Sequence, residues 1–387
     1  MRRVPIAERP NWRQLADEYG FSYAMPDGQK YWDESVCYQF TLREIEDDLE
    51  EATSEMVALC GELAGRAVRD EAYLKRLAIP ESFWSFIETS WNRSDMSLYG
   101  RFDFVYGGNG PAKLLEFNAD TPTSAYEAAV FQWLWLEDRI ATGKLPGSAD
   151  QFNSLHDKLI ARFKAFPRFG TPFHMTAFSS ELEDRKTVEY LADCAREAGH
   201  QVKLIDIADI GRDGLNQFVD DENRPIQRIF KLYPWEWLIH EPFGAAIPQA
   251  RTTWIEPAWK MLLSTKAILP ELWKIAPGHP NLLEAYHEGD PAASALARDH
   301  VAKPIFSREG ANVEIKRAGV TVAFPEGPYD QVPRVLQALA PDAVFDGMRP
   351  VIGSWIVDTE PAGIGIREDK GLVTGNLSRF VPHAIID

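Results

Sequence analysis

The most constraining feature of the sequence is a pair of alternating segments, 101–106 and 112–118, joined by the glycine-rich stretch 107–111. Alternation with a period of two residues predicts strands, and a glycine-containing turn between them predicts a β-hairpin. One face of this hairpin is apolar and the other is polar. The apolar face is expected to carry Phe102, Phe104, Tyr106, Leu115 and Phe117, and the polar face Arg101, Asp103, Glu116 and Asn118.

The polar face of the hairpin is a candidate metal site. A register centred on the turn places Asp103 opposite Glu116 and Arg101 opposite Asn118. Two carboxylates directly across a strand pair repel each other. Together with an amide oxygen they form a hard oxygen ligand set of the kind that Mg²⁺ takes. The alternative is a solvated polar face on which Arg101 bridges the acids, and the pattern alone leaves both interpretations open.

Two further glycine-containing segments could contact an anion. The small loop 307–310 follows Lys303, and such loops let backbone N–H groups approach phosphate oxygens while a lysine supplies charge. Gly363 and Gly365 would leave one face of a strand bare, and Arg367 continues that face, as a carboxylate or phosphate site would require. The alternatives are an ordinary turn and an ordinary ion pair.

The remaining patterns indicate a mixed α+β protein. Apolar residues at three- and four-residue steps predict a helix from about residue 42 to 68, and a second, largely buried helix spans 127–140. Residues 171–206 predict a βαβ-like unit. Within that unit, Ser180 and Glu183 have the spacing of a capping box, and Gly199 is placed to end the helix.

Composition excludes several classes of function. The 387 residues include 58 acidic and 41 basic side chains, a net charge of −17, which argues against nucleic-acid binding. No apolar run approaches the roughly 18 residues of a membrane span, and the charged start does not resemble a signal peptide. Three scattered cysteines favour reduced thiols in a cytoplasmic protein, and the eight histidines lack zinc-binding spacing.

Several ordered segments together resemble the glutathionylspermidine synthase family, and most closely its stand-alone bacterial acid–amine ligases, which correspond to the synthetase half of the bifunctional enzymes. The segments that carry the resemblance are 101–103, 115–123, 150–155, 230–236, 257–260, 303–310 and 352–355. The resemblance implies an ATP-grasp fold. Residues 1–215 would form a pre-ATP-grasp region that includes the hairpin 101–118, and residues 216–387 the nucleotide-binding lobes.

The resemblance also implies a reaction and a role for each matching residue. A carboxylic acid and an amine, both small molecules, would be joined through an acyl phosphate with ATP and two Mg²⁺ ions. The residues with implied roles are Asp103, Glu116 and Asn118 for Mg²⁺; Arg101 and Arg308 for catalysis; Lys266, Lys303 and Gly310 for ATP; and Thr121, Thr123, Arg367, Glu183 and Asp184 for the acid and the amine.

Two departures from the bifunctional enzymes bear on the substrates. The amidase part is absent from this sequence, so we expect no reverse hydrolysis. Pro122 and the residues after Thr123 differ from the glutathione-contacting segment, so glutathione and spermidine are one substrate pair among several. The competing hypothesis is a nucleotide- or polyamine-binding regulator that has lost its catalytic activity.

Overall fold

The computed structural model describes all 387 residues. Its helices are α1 Trp12–Glu18, α2 Leu42–Ile45, α3 Glu51–Ala67, α4 Glu71–Arg76, α5 Trp84–Asn92, α6 Gln132–Ala141, α7 Leu155–Ala165, α8 Leu182–Glu197, α9 Trp235–Leu238 and α10 Ile268–Ile275. Two π-helical segments, Glu46–Glu50 and Glu127–Phe131, join α2 to α3 and precede α6. The predicted helices at 42–68 and 127–140 are therefore confirmed.

The strands alternate with these helices along the chain. They are β1 Arg2–Pro5, β2 Val36–Phe40, β3 Tyr99–Val105, β4 Lys113–Asn118, β5 Phe173–Ala177, β6 Val202–Asp206, β7 Gly211–Arg212, β8 Phe218–Val219, β9 Arg228–Lys231, β10 Thr253–Ile255, β11 Ala285–His287, β12 His300–Pro304, β13 Glu314–Arg317, β14 Val320–Ala323, β15 Arg334–Gln337, β16 Arg349–Val357, β17 Glu360–Asp369, β18 Arg379–Val381 and β19 His383–Ile385. The predicted mixed class is confirmed.

Three larger sheets organise the molecule. One antiparallel sheet has the order β18-β17-β16-β3-β4, and a second has the order β11-β15-β12-β13-β14. The parallel sheet β10-β9-β5-β6 contains the predicted βαβ unit, in which β5 and β6 pair in parallel around α8. Small sheets β1-β2-β19 and β7-β8 complete the fold. Two of the larger sheets contain strands from both sides of residue 215, and the division at that residue stays a prediction.

The hairpin forms with the predicted register and one irregularity. Asp103 pairs with Glu116 and Arg101 with Asn118, as predicted. A shift in register between Asp103 and Phe104 then pairs Phe104 with Leu114. Leu114 is fully buried, so the expectation that Leu115 lies on the apolar face is wrong. The bulge reverses the facing of that part of β4, because one inserted residue exchanges the two faces of a strand.

The predicted cap of α8 is also wrong. Glu181 occupies the N-cap position, and no side chain caps the helix, so Ser180 and Glu183 do not form a capping box. The predicted end of the helix is correct, since α8 stops at Glu197 and Gly199 follows with φ +88°. The acidic residues in the first turn, Glu183 and Asp184, therefore have no capping role, although their charges lie at the favourable end of the helix dipole.

None of the helices combines the length and the apolar composition needed to cross a bilayer. All three cysteines lie buried as free thiols, and burial raises the pKa of each, Cys37, Cys60 and Cys194, to about 12. A thiolate nucleophile is disfavoured by such a shift. These positions are structural, as their apolar surroundings predict.

Candidate active site

One cavity of about 300 Å³ lies between the two antiparallel five-stranded sheets. The loop after β4, the first turn of α8 and the loop after β12 close its sides. Every residue that the sequence nominated lines this cavity: Arg101, Asp103, Glu116, Asn118, Thr121, Thr123, Glu183, Asp184, Lys266, Lys303, Arg308, Gly310 and Arg367. Residues that are far apart along the chain therefore meet in a single site.

Arg101 and Asp103 form a buried ion pair on the polar face of the hairpin. The Nε and Nη2 groups of Arg101 donate to the two carboxylate oxygens of Asp103 at 2.6 and 3.0 Å. Asn118 donates to the same carboxylate at 3.2 Å. Gly353, opposite Asp103 on β16, makes room for the arginine, because a Cβ there would lie 2.7 Å from Arg101 Cδ. The arginine is thus fixed in place before any ligand binds.

Glu116 faces two lysines in the same part of the cavity. Lys266 Nζ lies 3.1 Å from a carboxylate oxygen of Glu116 and donates to the Ser307 carbonyl at 2.7 Å. Lys303 donates to the Leu115 carbonyl and to Gln337 at 2.8 and 2.7 Å. Burial raises the pKa of Glu116, but the two lysines lower it to about 2, and burial lowers the pKa of Lys303 to about 8. We refer to Arg101, Asp103, Glu116, Lys266 and Lys303 as the hairpin cluster.

The donor set of the hairpin suits a divalent cation. Asp103 and Glu116 point to one face, and Asn118 adds an amide oxygen, so the three side chains together offer the hard oxygen atoms that Mg²⁺ prefers. Without a ligand, protein cations neutralise both acids, and Arg101 pairs with Asp103, as the alternative interpretation required. That face is not solvated, however, since Asp103 is only 4% exposed. The residues fit the metal, and its assignment stays a prediction.

The loop after β4 is held from three directions. Arg101 Nη1 donates to the Thr123 carbonyl at 2.8 Å, and the Tyr99 hydroxyl donates to the Pro122 carbonyl at 2.9 Å. Arg308 Nη1 donates to the Thr121 hydroxyl at 3.0 Å. Ser124 has φ +66°, so the chain turns sharply where the loop ends. The loop therefore presents its hydroxyl and carbonyl groups in a fixed arrangement.

A second group of polar residues surrounds Arg308. The Arg308 guanidinium lies 5.4 Å from the Trp237 ring, and Asp184 and Glu236 are the nearby acids. Burial raises the pKa of Asp184 to about 7 and also raises that of Glu236, although Arg308 opposes both shifts. Neither acid forms an ion pair. We refer to Thr121, Asp184, Glu236, Trp237 and Arg308 as the Arg308 cluster.

The sequence analysis gave no role to four residues of this region, Asp120, Lys231, Trp235 and Glu236. Asp120 accepts a hydrogen bond from Lys231 Nζ at 2.6 Å and another from the Trp235 amide at 2.8 Å, and all three groups are buried. This contact fixes the start of α9 and with it the lining residue Glu236. The segment 230–236 contributed only to the resemblance, because no local spacing indicates that it meets the loop after β4.

The interpretation of Gly363 and Gly365 requires correction. A Cβ on Gly365 would lie 2.9 Å from the Phe380 ring, and one on Gly363 would lie 2.8 Å from the Phe152 carbonyl oxygen. These glycines admit neighbouring parts of the protein and leave no bare face for a ligand. Arg367 nevertheless lines the cavity, where it forms no ion pair with another side chain.

Comparison with known proteins identifies the class. The family model described as glutathionylspermidine synthase preATP-grasp matches residues 3–386, and the chain belongs to this family. A Haemophilus influenzae protein, named as a candidate acid–amine ligase, is 42% identical over the full length of both chains. The family consists of ATP-dependent amide ligases, so the chain is an enzyme that forms carbon–nitrogen bonds and acts on small molecules.

More distant relatives agree with this assignment. The bifunctional glutathionylspermidine synthetase/amidase of Escherichia coli is 22% identical over 97% of this chain, which spans 63% of that protein's length. A glutathione synthetase-like effector from Globodera pallida superposes with a TM-score of 0.58 at 13% identity and covers 99% of both chains. That second likeness concerns the fold alone. The predicted ATP-grasp class is confirmed.

Proposed function

We propose that this enzyme joins a carboxylic acid to an amine through an acyl phosphate, with release of ADP and phosphate. The observation that carries the proposal is the single cavity that is lined by the hairpin cluster, by the polar residues of the Arg308 cluster and by Arg367. The first cluster has the cations and carboxylates that a magnesium nucleotide requires. The second has an unpaired arginine for an anionic substrate and unpaired acids for a cationic one.

The hairpin cluster would hold the triphosphate. A carboxylate attacks the γ-phosphate only if the mutual repulsion of the anionic oxygens is reduced. Lys266, Lys303 and Arg101 supply fixed positive charge, and Gly310 lets the loop after β12 lie close to the phosphates. Two Mg²⁺ ions on Asp103, Glu116 and Asn118 would add charge on the nucleotide oxygens.

The acid would bind between Arg308 and Arg367. Arg308 bonds only to the Thr121 hydroxyl, so its other N–H groups are available for a carboxylate, which an arginine can bind with two hydrogen bonds. Thr123 lines the same wall, and its carbonyl holds Arg101. The acid would thereby sit beside the group that assists phosphoryl transfer.

The amine would bind at the start of α8. Glu183 lines the main cavity and also a second, smaller cavity of about 150 Å³. The second cavity is lined by five aromatic residues, Tyr19, Phe21, Tyr23, Tyr126 and Tyr190. Its floor includes Glu127, which is 4% exposed and forms no ion pair. Aromatic faces and carboxylates together attract ammonium groups, so an amine with more than one positive charge fits this region.

A substrate panel tests the proposal. The enzyme is incubated with Mg·ATP, with glutathione or another γ-glutamyl peptide, and with spermidine, putrescine or a monoamine. ADP should form only when both an acid and an amine are present. AMP and pyrophosphate as products would exclude the acyl-phosphate route. Tight ATP binding without turnover on any pair would favour the regulator instead.

A further inference from the structure

The amine reaches the enzyme as an ammonium ion, which has no lone pair and cannot attack a carbonyl carbon. A group in the cavity must therefore accept a proton before the carbon–nitrogen bond forms. The hairpin cluster offers no such group, because its carboxylates pair with Arg101 and Lys266. The candidate acceptors are therefore the unpaired acids of the cavity, which are Asp184 and Glu236 of the Arg308 cluster and the neighbouring Glu183 and Glu309.

We propose that Glu236 accepts the proton of the amine substrate. Its side chain lines the main cavity and forms no hydrogen bond or ion pair with another side chain. Its neighbour Trp237 lies against Arg308, so Glu236 is next to the position proposed for the acid. This inference rests on the proposed ligation and adds a residue to which neither the sequence nor the resemblance gave a role.

The backbone that carries Glu236 is fixed more firmly than that of Asp184, the other unpaired acid of the Arg308 cluster. The amide of Trp235 donates to Asp120, which also accepts from the buried ammonium of Lys231. Glu236 is therefore the second residue of α9 and directly follows an anchored residue. Asp184 lies in the first turn of α8, where no side chain caps the helix. A proton acceptor must lie within hydrogen-bond reach of the reacting nitrogen, so the better anchored carboxylate suits the role.

The charges around Glu236 allow it to cycle between its two forms. Burial and the nearby Asp120 raise its pKa, whereas Arg308 and Lys231 lower it. Tyr329 is a further titratable neighbour. A carboxylate that binds a proton more readily than an exposed glutamate is a better base near neutral pH.

The step conserves atoms and charge. The ammonium transfers one proton to Glu236, and the nitrogen lone pair forms a bond to the carbonyl carbon of the acyl phosphate. The bond between that carbon and the phosphate oxygen breaks, and phosphate leaves with the electron pair. The second nitrogen proton goes to the departing phosphate, and Glu236 returns its proton to water.

Hydroxylamine separates proton removal from the other steps, because it is mostly unprotonated at neutral pH and needs no base. In Glu236→Gln, turnover with an amine of the panel should fall by about a hundredfold or more, which is the usual contribution of a general base. Hydroxamate formation from the acid, ATP and hydroxylamine should stay within about twofold of wild type. In wild type, the rate of the amine reaction should fall at acidic pH because the base becomes protonated. In the variant, this fall should be absent. Glu241→Gln, further along the same segment, is the control and should behave as wild type.

The outcomes are distinguishable. An equal loss with hydroxylamine and amine would assign Glu236 to positioning or folding and overturn the inference. A wild-type rate with the amine would also overturn it, and the same loss in Asp184→Asn alone would move the role to Asp184. If the wild-type enzyme forms neither hydroxamate nor ADP with any acid, the proposed ligation itself is wrong.

Discussion

The carboxylates of the two clusters differ in their ion pairing and in the direction of their pKa shifts. In the hairpin cluster, each acid contacts a cation of the protein, and the lysines lower the pKa of Glu116 to about 2 even though burial opposes this. In the Arg308 cluster, burial raises the pKa of Asp184 to about 7, and no cation contacts it. The difference shows that protein cations balance the acids of the hairpin cluster, whereas no ion pair balances the acids of the Arg308 cluster.

This difference follows from how the clusters are built. Four of the five residues of the hairpin cluster lie on the strands β3, β4 and β12, and Gly353 on β16 leaves room for the arginine. The Arg308 cluster lies on loops and on the first turns of α8 and α9. Preorganised charge on a rigid sheet suits phosphoryl transfer. Unpaired groups on connecting segments suit recognition of variable substrates.

The largest effect is expected in the hairpin cluster. Glu116→Gln should lower turnover by about a hundredfold and weaken the dependence on Mg²⁺, because one fixed charge near the phosphates is lost. The melting temperature should fall only moderately, because Lys266 loses its ionic partner but the Glu116 side chain is 28% exposed, so water can replace part of the interaction. Glu360→Gln, on the exposed start of β17, is the matched control. Steady-state rates against magnesium concentration measure the effect.

A wild-type rate and magnesium response in Glu116→Gln would remove the metal assignment. Asp103→Asn is a poorer probe than the sequence alone would indicate. Asp103 is buried against Arg101, and loss of its charge would leave a buried guanidinium without its counter-ion, which typically costs about 3–5 kcal/mol of folding free energy. A loss of activity in Asp103→Asn would therefore combine the effects of impaired folding and of impaired catalysis.

An intermediate effect is expected where the Arg308 cluster meets α8. The double variant Glu183→Gln, Asp184→Asn should raise the amine KM by about tenfold and leave the ATP KM unchanged, since about 1.4 kcal/mol of charge attraction to an ammonium is lost. Neither side chain caps the helix, so stability should be kept. Glu197→Gln, at the far end of the same helix, is the control. An unchanged amine KM would exclude both residues from amine binding.

The smallest effect is expected at Glu127, an unpaired acid that lines the second cavity. Burial and the nearby Glu183 raise its pKa to about 7. A carboxyl group with a raised folded pKa destabilises the protein increasingly as pH rises from about 4 through 7. Glu127→Gln should therefore be more stable than wild type at pH 8, by up to about 3 kcal/mol, and similar near pH 4. Urea unfolding at the two pH values measures this. A difference that does not depend on pH would show that folding leaves the pKa of Glu127 unchanged.

Much of the hairpin could be predicted because its strands, its turn and its register depend on residues that are close together in the sequence. Alternation fixes which side chains share a face, and the glycine-rich turn fixes the register, so the pairing of Asp103 with Glu116 follows from the sequence. The bulge at Leu115 could not be located, because no residue there requires it. Leu114 rather than Leu115 therefore fills the apolar face.

The Arg308 cluster could be predicted only in part. The resemblance supplied Arg308, Thr121 and Asp184, but nothing local indicates that Asp120 holds Lys231 and the start of α9. That contact depends on the parallel pairing of β5 with β9, which is a long-range arrangement. The capping box at Ser180 failed for a different reason. The helix begins after Glu181, so its first turn lies beyond the serine.

The strand order of the sheet β18-β17-β16-β3-β4 has a consequence for the synthesis of this protein. The hairpin β3–β4 lies at one edge, and its inner partner is β16, which the ribosome makes long after the hairpin has emerged. Domains usually fold as they appear, but pairings between distant segments must wait. Until Gly353 arrives to admit Arg101, the nascent hairpin carries two adjacent carboxylates and an open edge. The hairpin cluster can therefore take its final form only after β16 has been synthesised.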